Sequence, residues 1–98
     1  MAAVIERSVP GVIPGNSQSV AIGSSSASST AVGSNTNAVL LTATVACFVA
    51  VGASPTAVAN TSLYLPANVP TYVGLSGGQM VAVIQASGAG TLYITEAA

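Results

Sequence analysis

Few side chains in this 98-residue sequence could perform acid–base or nucleophilic chemistry. It contains no histidine, lysine or aspartate, which leaves two glutamates, one cysteine and three tyrosines as weakly acidic groups. Two carboxyl groups are the minimum set for glycoside hydrolysis, but Glu6 and Glu96 lie near opposite ends of the chain. Both fall in segments expected to be mobile, so we interpret them as solubilising charges. The sequence predicts no catalytic residues and a protein that is not an enzyme.

Nucleophiles and metal ligands are equally poorly supported. Serine is abundant, but a serine nucleophile needs a base that a third group orients, and no such base is present. Cys47 lies in the apolar run VACFV and is predicted to be a buried small hydrophobe. One cysteine and two distant glutamates do not form a metal-binding cluster. We therefore expect no metal, no cofactor and no small-molecule substrate.

The scarcity of charge is the most informative feature of the composition. Charged residues make up 3% of the chain, against about 25% in ordinary domains, while 51% of the residues are hydrophobic. Because charge keeps free proteins soluble and apart, much of this surface is expected to be covered by neighbouring protein. A single arginine cannot neutralise several phosphates, which excludes nucleic acid as an expected partner.

A membrane span is the less favoured interpretation of the high mean hydropathy. The uncharged stretch 38–53 approaches the length of a span only by continuing through Gly52, Ser54 and Pro55. Flanking lysine or arginine anchors are missing. The N-terminus also lacks the order of a basic region followed by an apolar stretch that marks a signal peptide. We expect neither a membrane partner nor export by that route.

The residues that dominate the chain favour strands over helices. Val, Thr, Ser, Gly and Ala are common, and turn residues recur at short intervals. Residues 23–30 are predicted to be a loop or a weak edge strand. The fold class predicted is all-β: an antiparallel β-sandwich or jelly roll of seven to eight short strands with an extended N-terminal arm. The main strands are predicted at residues 17–22, 36–44, 45–51, 62–65, 69–73, 79–86 and 91–95.

Two of these strands carry patterns that predict their environment. Residues 45–51 are apolar on both faces, which predicts a strand that is central or covered by a partner. In the last strand Leu92 and Ile94 alternate with Tyr93 and Thr95. That alternation is typical of a strand with one buried and one exposed face.

Residues 1–18 are predicted to form the N-terminal arm, and residues 19–98 the sandwich domain. Pro10 and Pro14 argue against regular strand pairing in the arm. A frayed terminus and an arm ordered by a neighbouring subunit both remain open, and the apolar residues of the arm favour the second. Tyrosine is also favoured at interfaces. The candidate partner-contact residues are Val9, Val12, Ile13, Tyr64 and Tyr72.

Residues 36–96 resemble small β-sandwich or jelly-roll proteins of bacteriophage virions, including capsid decoration (cement) proteins. The resemblance is carried, in order, by NAVLL at 37–41, FVAVG at 48–52, LYLPA at 63–67, QMVAVI at 79–84 and GAGTLYIT at 88–95. It brings no catalytic or binding residues with it.

The resemblance implies a structural protein on the surface of a phage capsid, made in the host cytoplasm. Its expected partners are the major capsid protein, whose subunits it would bridge, and copies of itself in a dimer or trimer. The alternative is a head fibre, spike or tail component with a module that binds a host surface. In either case we expect attachment to depend weakly on salt, because the chain offers so few charges.

Overall fold

Eight strands make up the regular structure of residues 12–97. The computed structural model describes residues 12–97, with side chains from residue 16 onward, and this part contains no helix. Strand-favouring valine, threonine and isoleucine fill the strands, while glycine, proline and asparagine fill the turns between them. The strands are β1 Val12–Ile22, β2 Ala27–Ser28, β3 Ala38–Ala43, β4 Cys47–Gly52, β5 Leu63–Leu65, β6 Thr71–Gly74, β7 Met80–Gln85 and β8 Gly90–Ala97.

The two halves of the chain pair with each other like the two sides of a long ribbon. β1 pairs with β8, β2 with β7, β3 with β6 and β4 with β5, all antiparallel. β8 also pairs with β3, and β7 with β4, so the ribbon rolls into sheet A (β1-β8-β3-β6) and sheet B (β2-β7-β4-β5). This strand order is that of a jelly roll. The predicted all-β fold of seven to eight strands is confirmed, with eight.

The core lies between the two sheets and is built from alternate residues of the inner strands. In β3 every second side chain is fully buried, and in β8 Leu92 and Ile94 are buried on either side of the exposed Tyr93, because successive residues of a strand point to opposite faces. Cys47 lies in this core, as the apolar run around it predicted. The largest fully buried side chains are Leu41, Leu65, Leu92, Ile94, Val39, Val81 and Val83.

The outer face of sheet B is partly covered by the chain itself. Residues 53–62 connect β4 to β5 but first reach the opposite edge, where the Ala57 amide donates a hydrogen bond to Ser26 Oγ at 2.9 Å. Phe48 and Ala82 are buried on this outer face. The prediction that residues 45–51 contain a central strand is confirmed, because β4 lies between β7 and β5 in sheet B, and Phe48 on its outer face packs against Tyr64 of β5.

The first strand begins earlier than predicted. β1 starts at Val12, so residues 12–18, which were assigned to the arm, lie in a strand paired with β8. Pro14 does interrupt regular pairing, because the register shifts between Val12 and Ser17. The irregularity accommodates a residue with no N–H to donate and leaves the strand on the edge of sheet A. Residues 1–11 lie outside the described part.

The interpretation of Glu96 as a charge on a mobile tail is wrong. Glu96 lies in β8, and its Oε1 accepts hydrogen bonds from Thr36 Oγ1 at 2.6 Å and from the Gly33 amide at 3.2 Å. Thr36 is itself buried. Charged acceptors form stronger hydrogen bonds than neutral ones, so this carboxylate anchors the loop between β2 and β3. The same interpretation of Glu6 concerns a residue outside the described part.

Candidate functional site

The two long edges of the sandwich differ in how they are closed. At the edge formed by β1 and β2, the Gln18 side chain bridges the sheets. Its Oε1 accepts hydrogen bonds from the Thr30 amide and from Thr30 Oγ1, both at 3.0 Å, and its Nε2 donates to the Thr30 carbonyl at 3.3 Å. The glutamine amide thus satisfies the main-chain N–H and C=O of Thr30, just beyond β2, and ties the two sheets together at this edge.

The opposite edge, formed by β5 and β6, is open. β5 pairs only with β4, and β6 only with β3, among the strands of residues 12–97. The loop between them carries Asn68 in the left-handed region (φ 60°), and the Asn68 amide donates to the Ala43 carbonyl at 2.7 Å. This short, fixed loop holds the two edge strands on the same side of the molecule, each with one unpaired side.

Most of the exposed large hydrophobic side chains of the described part lie in residues 58–72, which contain the two outer strands and the turns beside them. We call them the β5–β6 surface: Val58, Leu63, Tyr64, Val69 and Tyr72. Each leaves roughly half of its area exposed, between 44% and 53%. The sixth large exposed side chain of the described residues, Tyr93, lies elsewhere, on the interior strand β8. Concentration of apolar area in one segment is typical of an interaction surface rather than of scattered surface residues.

Local structure fixes the orientation of these side chains. Val58 is held in a tight turn, in which the Val58 amide donates to Ser62 Oγ at 2.9 Å and its carbonyl accepts from the Thr61 amide at 3.2 Å. Tyr64 lies opposite Phe48 on the outer face of sheet B, with ring centroids 5.5 Å apart and ring planes at 59°. Tilted aromatic pairs are favourable, so Tyr64 is ordered before any partner arrives.

Tyr72 belongs to the outer face of sheet A, which is rich in hydroxyl groups. It lies opposite Leu40, which in turn lies opposite Thr95 on β8. Thr95 Oγ1 and Ser17 Oγ are 3.2 Å apart, which continues the row across all four strands. Tyr93 stands on the same outer face, opposite Thr42. The face is therefore polar without being charged.

No ionic group is available on either surface just described. Within residues 12–97 the only charged side chain is Glu96, and its carboxylate is engaged by the loop between β2 and β3. A partner at these surfaces would be held by apolar contact, by hydroxyl groups and by the unpaired strand edges.

The structure places two of the five predicted contact residues on outer strands, Tyr64 on β5 and Tyr72 on β6. They stand on the outer faces of different sheets, so their side chains point away from each other. Val12 and Ile13 lie in β1, at the opposite edge of sheet A, and Val9 lies outside the described residues. Sequence reasoning missed Val58, Leu63 and Val69. The only feature of the sequence that points to these three residues is that they lie near Tyr64 and Tyr72, in or beside the predicted turns.

The sequence matches no protein-family model and no curated protein, and the fold matches no solved structure. In residues 12–97 there is no pocket and no group of three metal-ligating side chains. No helix in that part of the chain is long and apolar enough to cross a membrane.

Cys47 provides a test of the core. Burial raises the pKa of its thiol above the ordinary value of 9.0, because the thiolate loses hydration. Below pH 9 the thiol is protonated in both folded and unfolded chains, and its contribution to stability is constant. Above pH 9 the unfolded chain ionises first. We expect the free energy of unfolding to fall there by up to about 1.4 kcal/mol per pH unit, measured by urea unfolding between pH 7.5 and 10.5.

The matched control for this prediction is Cys47→Ala. The variant is less stable throughout but lacks the thiol, whereas its tyrosines are the same as in the wild type. The difference in unfolding free energy between the two proteins should therefore shrink as pH rises above 9. A difference that stays constant over that range would contradict burial of the thiol.

Proposed function

We propose that this protein is a structural component of a bacteriophage virion, a capsid decoration (cement) protein that binds across major capsid subunits on the head surface. The observation that supports this most directly is the β5–β6 surface. It combines two unpaired strand edges with five half-exposed large hydrophobic side chains, and it carries no charge. In this proposal the protein acts by contact alone, without catalysis, cofactor or nucleic acid.

The fold is compatible with this function but does not select it. Jelly rolls form viral capsid domains, and they also form lectin and cupin domains, so function has to be argued from the surface. A protein that reinforces a shell must bind many equivalent sites through contact area. Apolar burial contributes about 25 cal/mol per Å², and an open strand edge adds hydrogen bonds to an incoming strand. Residues 58–72 of this molecule provide both the exposed apolar area and the open strand edges.

The proposal predicts attachment that is insensitive to salt. Heads that lack the protein, incubated with the purified chain and sedimented, should bind it, and bound heads should withstand a higher temperature before releasing DNA. Since no free charge lies on the described surface, a tenfold rise in salt should change the binding constant by less than about threefold. Release by moderate salt, or bound heads no more stable than bare ones, would refute a cement function.

A truncated chain tests the predicted N-terminal arm in the same head-binding assay. A chain lacking residues 1–11 removes Val9 and leaves the described strands intact. If the arm reaches a neighbouring subunit, the truncated chain should bind heads more weakly than the full chain while keeping the same circular dichroism. Equal binding by both chains would assign attachment to residues 12–98 alone.

A second candidate function is favoured by the outer face of sheet A. Tyr72 and Tyr93 stand on this one uncharged face among threonine and serine hydroxyls. Such a surface suits a head fibre, spike or tail component that contacts a host surface. Imaging of purified virions decides between the two, because a cement protein covers the head in many copies and a host-binding component projects from it or sits on the tail.

A further inference from the structure

We propose that the β5–β6 surface binds a second copy of this chain edge to edge, with β6 of one copy antiparallel to β6 of the other. Such a contact is isologous, since the same surface is used on both copies. It would join the two A sheets into one eight-stranded sheet. The inference deepens the proposed function: the β6 edge of each copy is taken by a second copy, and the outer faces of the sheets, with Tyr64 and Tyr93, remain for the capsid.

The first argument comes from the main chain. An edge strand presents a row of N–H and C=O groups on its unpaired side, and only another extended segment satisfies several of them together. β6 is four residues long and β5 three. Pro66 and Pro70 flank these strands without lying inside them, so they limit strand length and do not block pairing. A second copy supplies an edge strand of the same length, bounded by the same prolines.

The second argument is the absence of protection against such pairing. Natural edge strands are commonly shielded by lysine, by inward-pointing charges or by a covering segment. The opposite edge of this molecule carries other protective devices: β1 contains Pro14 and a register shift between Val12 and Ser17, and β2 is only two residues long. β5 and β6 carry no charge and no described segment covers them. The contrast within one molecule indicates which edge is left for a partner.

The third argument is charge complementarity. A charged side chain from a partner would be buried on the β5–β6 surface with no opposite charge to pair with, which is costly. The partner surface must therefore also be uncharged. The same surface on a second copy meets this condition and offers Tyr72 across the joint. Aromatic pairs across neighbouring strands are favourable.

The fourth argument is area. Five large side chains that are about half exposed leave on the order of 400 Å² on each copy. Because Tyr64 and Tyr72 stand on the outer faces of different sheets, an edge-to-edge contact covers only part of this area, and the two strand edges add to it. The total stays below the roughly 1,200–2,000 Å² of a stable protein–protein interface, which predicts a weak and reversible dimer.

The test is the oligomeric state of the purified full chain, without capsids, by sedimentation equilibrium from micromolar to millimolar concentration. We expect a reversible monomer–dimer equilibrium. Tyr72→Lys on β6 should weaken dimerisation by about tenfold or more, since it places like charges from the two copies across the joint. The matched control is Tyr93→Lys, on the same face of sheet A as Tyr72 and equally exposed, but on an interior strand. It should change the dimerisation constant by less than about threefold.

A cysteine cross-link adds a readout that does not depend on affinity. Cys47 is buried, so Tyr72→Cys introduces the accessible thiol of residues 12–97. Paired edges bring opposite residues within disulfide reach, and oxidation should give covalent dimers for Tyr72→Cys and not for Tyr93→Cys.

Three outcomes would overturn the inference: a wild-type chain that stays monomeric, a Tyr93→Lys variant that disrupts as strongly as Tyr72→Lys, or equal cross-linking at both positions. None of these measurements uses capsids. A dimer that fails to attach to heads would therefore refute the proposed function and leave the edge contact standing. A monomer that still attaches would refute the edge contact and leave the proposed function standing.

Discussion

Replacing Leu92 by alanine is expected to lower the free energy of unfolding by about 3–5 kcal/mol, the range for a large-to-small change in a closed core. Leu92 is fully buried in β8, between Val20 of β1 and Ala43 of β3. Both neighbouring strands hold their positions through the sheet, so the cavity cannot collapse easily. Small domains are stabilised by only about 5–15 kcal/mol, so the variant loses much of its margin. Urea unfolding at neutral pH measures the loss.

The same substitution at Leu63 is the control. Leu63 lies on the edge strand β5 with 52% of its area exposed, so alanine there removes little buried surface. We expect a loss below about 1 kcal/mol. Similar losses at the two positions would mean that the alternation in β8 does not define the core. A large loss at Leu63 alone would place that side chain in a buried contact, such as the proposed dimer, and would then depend on protein concentration.

Patterns of period two predicted the parts of this fold that depend on one strand at a time. The alternation of Leu92 and Ile94 with Tyr93 correctly separated the buried from the exposed face of β8. Apolar residues on both faces of β4 correctly indicated an interior strand. These successes share a cause: side chains alternate between the two faces of a strand, so an odd or even position in the strand decides the face.

Features that depend on distant pairing were not predictable in this way. Glu96 was assigned to a tail because it is the third residue from the end of the sequence, yet β8 places it beside Thr36. Pro14 argued against regular pairing, and the register is irregular there, but an edge strand still forms around this residue without an N–H. In both cases the deciding contact lies about sixty or more residues away in sequence.

The candidate site shows the same division. Residue type alone marked Tyr64 and Tyr72 as contact residues. Their place on one open side follows from β5 and β6 being the outer strands of two different sheets, and no local pattern separates an outer strand from an inner one. The exposed Val58, Leu63 and Val69 acquire meaning only once that strand order is known.

The turn before β7 is the second position at which a small change should have a large effect. A Cβ built on Gly77 would lie 2.6 Å from the carbonyl carbon and 2.8 Å from the Cα of Ser34. Such contacts with main-chain atoms cannot be relieved by rotating a side chain. Gly77→Ala must therefore push this turn away from the loop between β2 and β3. We expect a loss of about 2–3 kcal/mol in the free energy of unfolding, typical of overpacking, measured by urea unfolding.

The displacement matters because the two segments support each other through several hydrogen bonds. The Gly78 amide donates to the Val32 carbonyl at 3.1 Å, and the Val32 amide donates to the Gln79 carbonyl at 2.9 Å. The loop is held from its other side by Glu96. The effect of Gly77→Ala on stability should therefore depend on whether the Glu96 carboxylate is present. Gly77→Ala and Glu96→Gln combined should destabilise the chain by an amount that differs from the sum of the single effects by more than about 0.5 kcal/mol.

Gly23→Ala is the control that separates packing from the loss of glycine itself. No atom lies within 4 Å of a Cβ at Gly23, and its φ is outside the left-handed region. Alanine there should leave stability unchanged within about 0.5 kcal/mol or raise it slightly, because it restricts the unfolded chain. Equal destabilisation at both glycines would mean that backbone freedom, and not contact with Ser34, is what Gly77 provides. A loss confined to Gly77 would establish that this turn and the loop between β2 and β3 form one packed end of the sandwich.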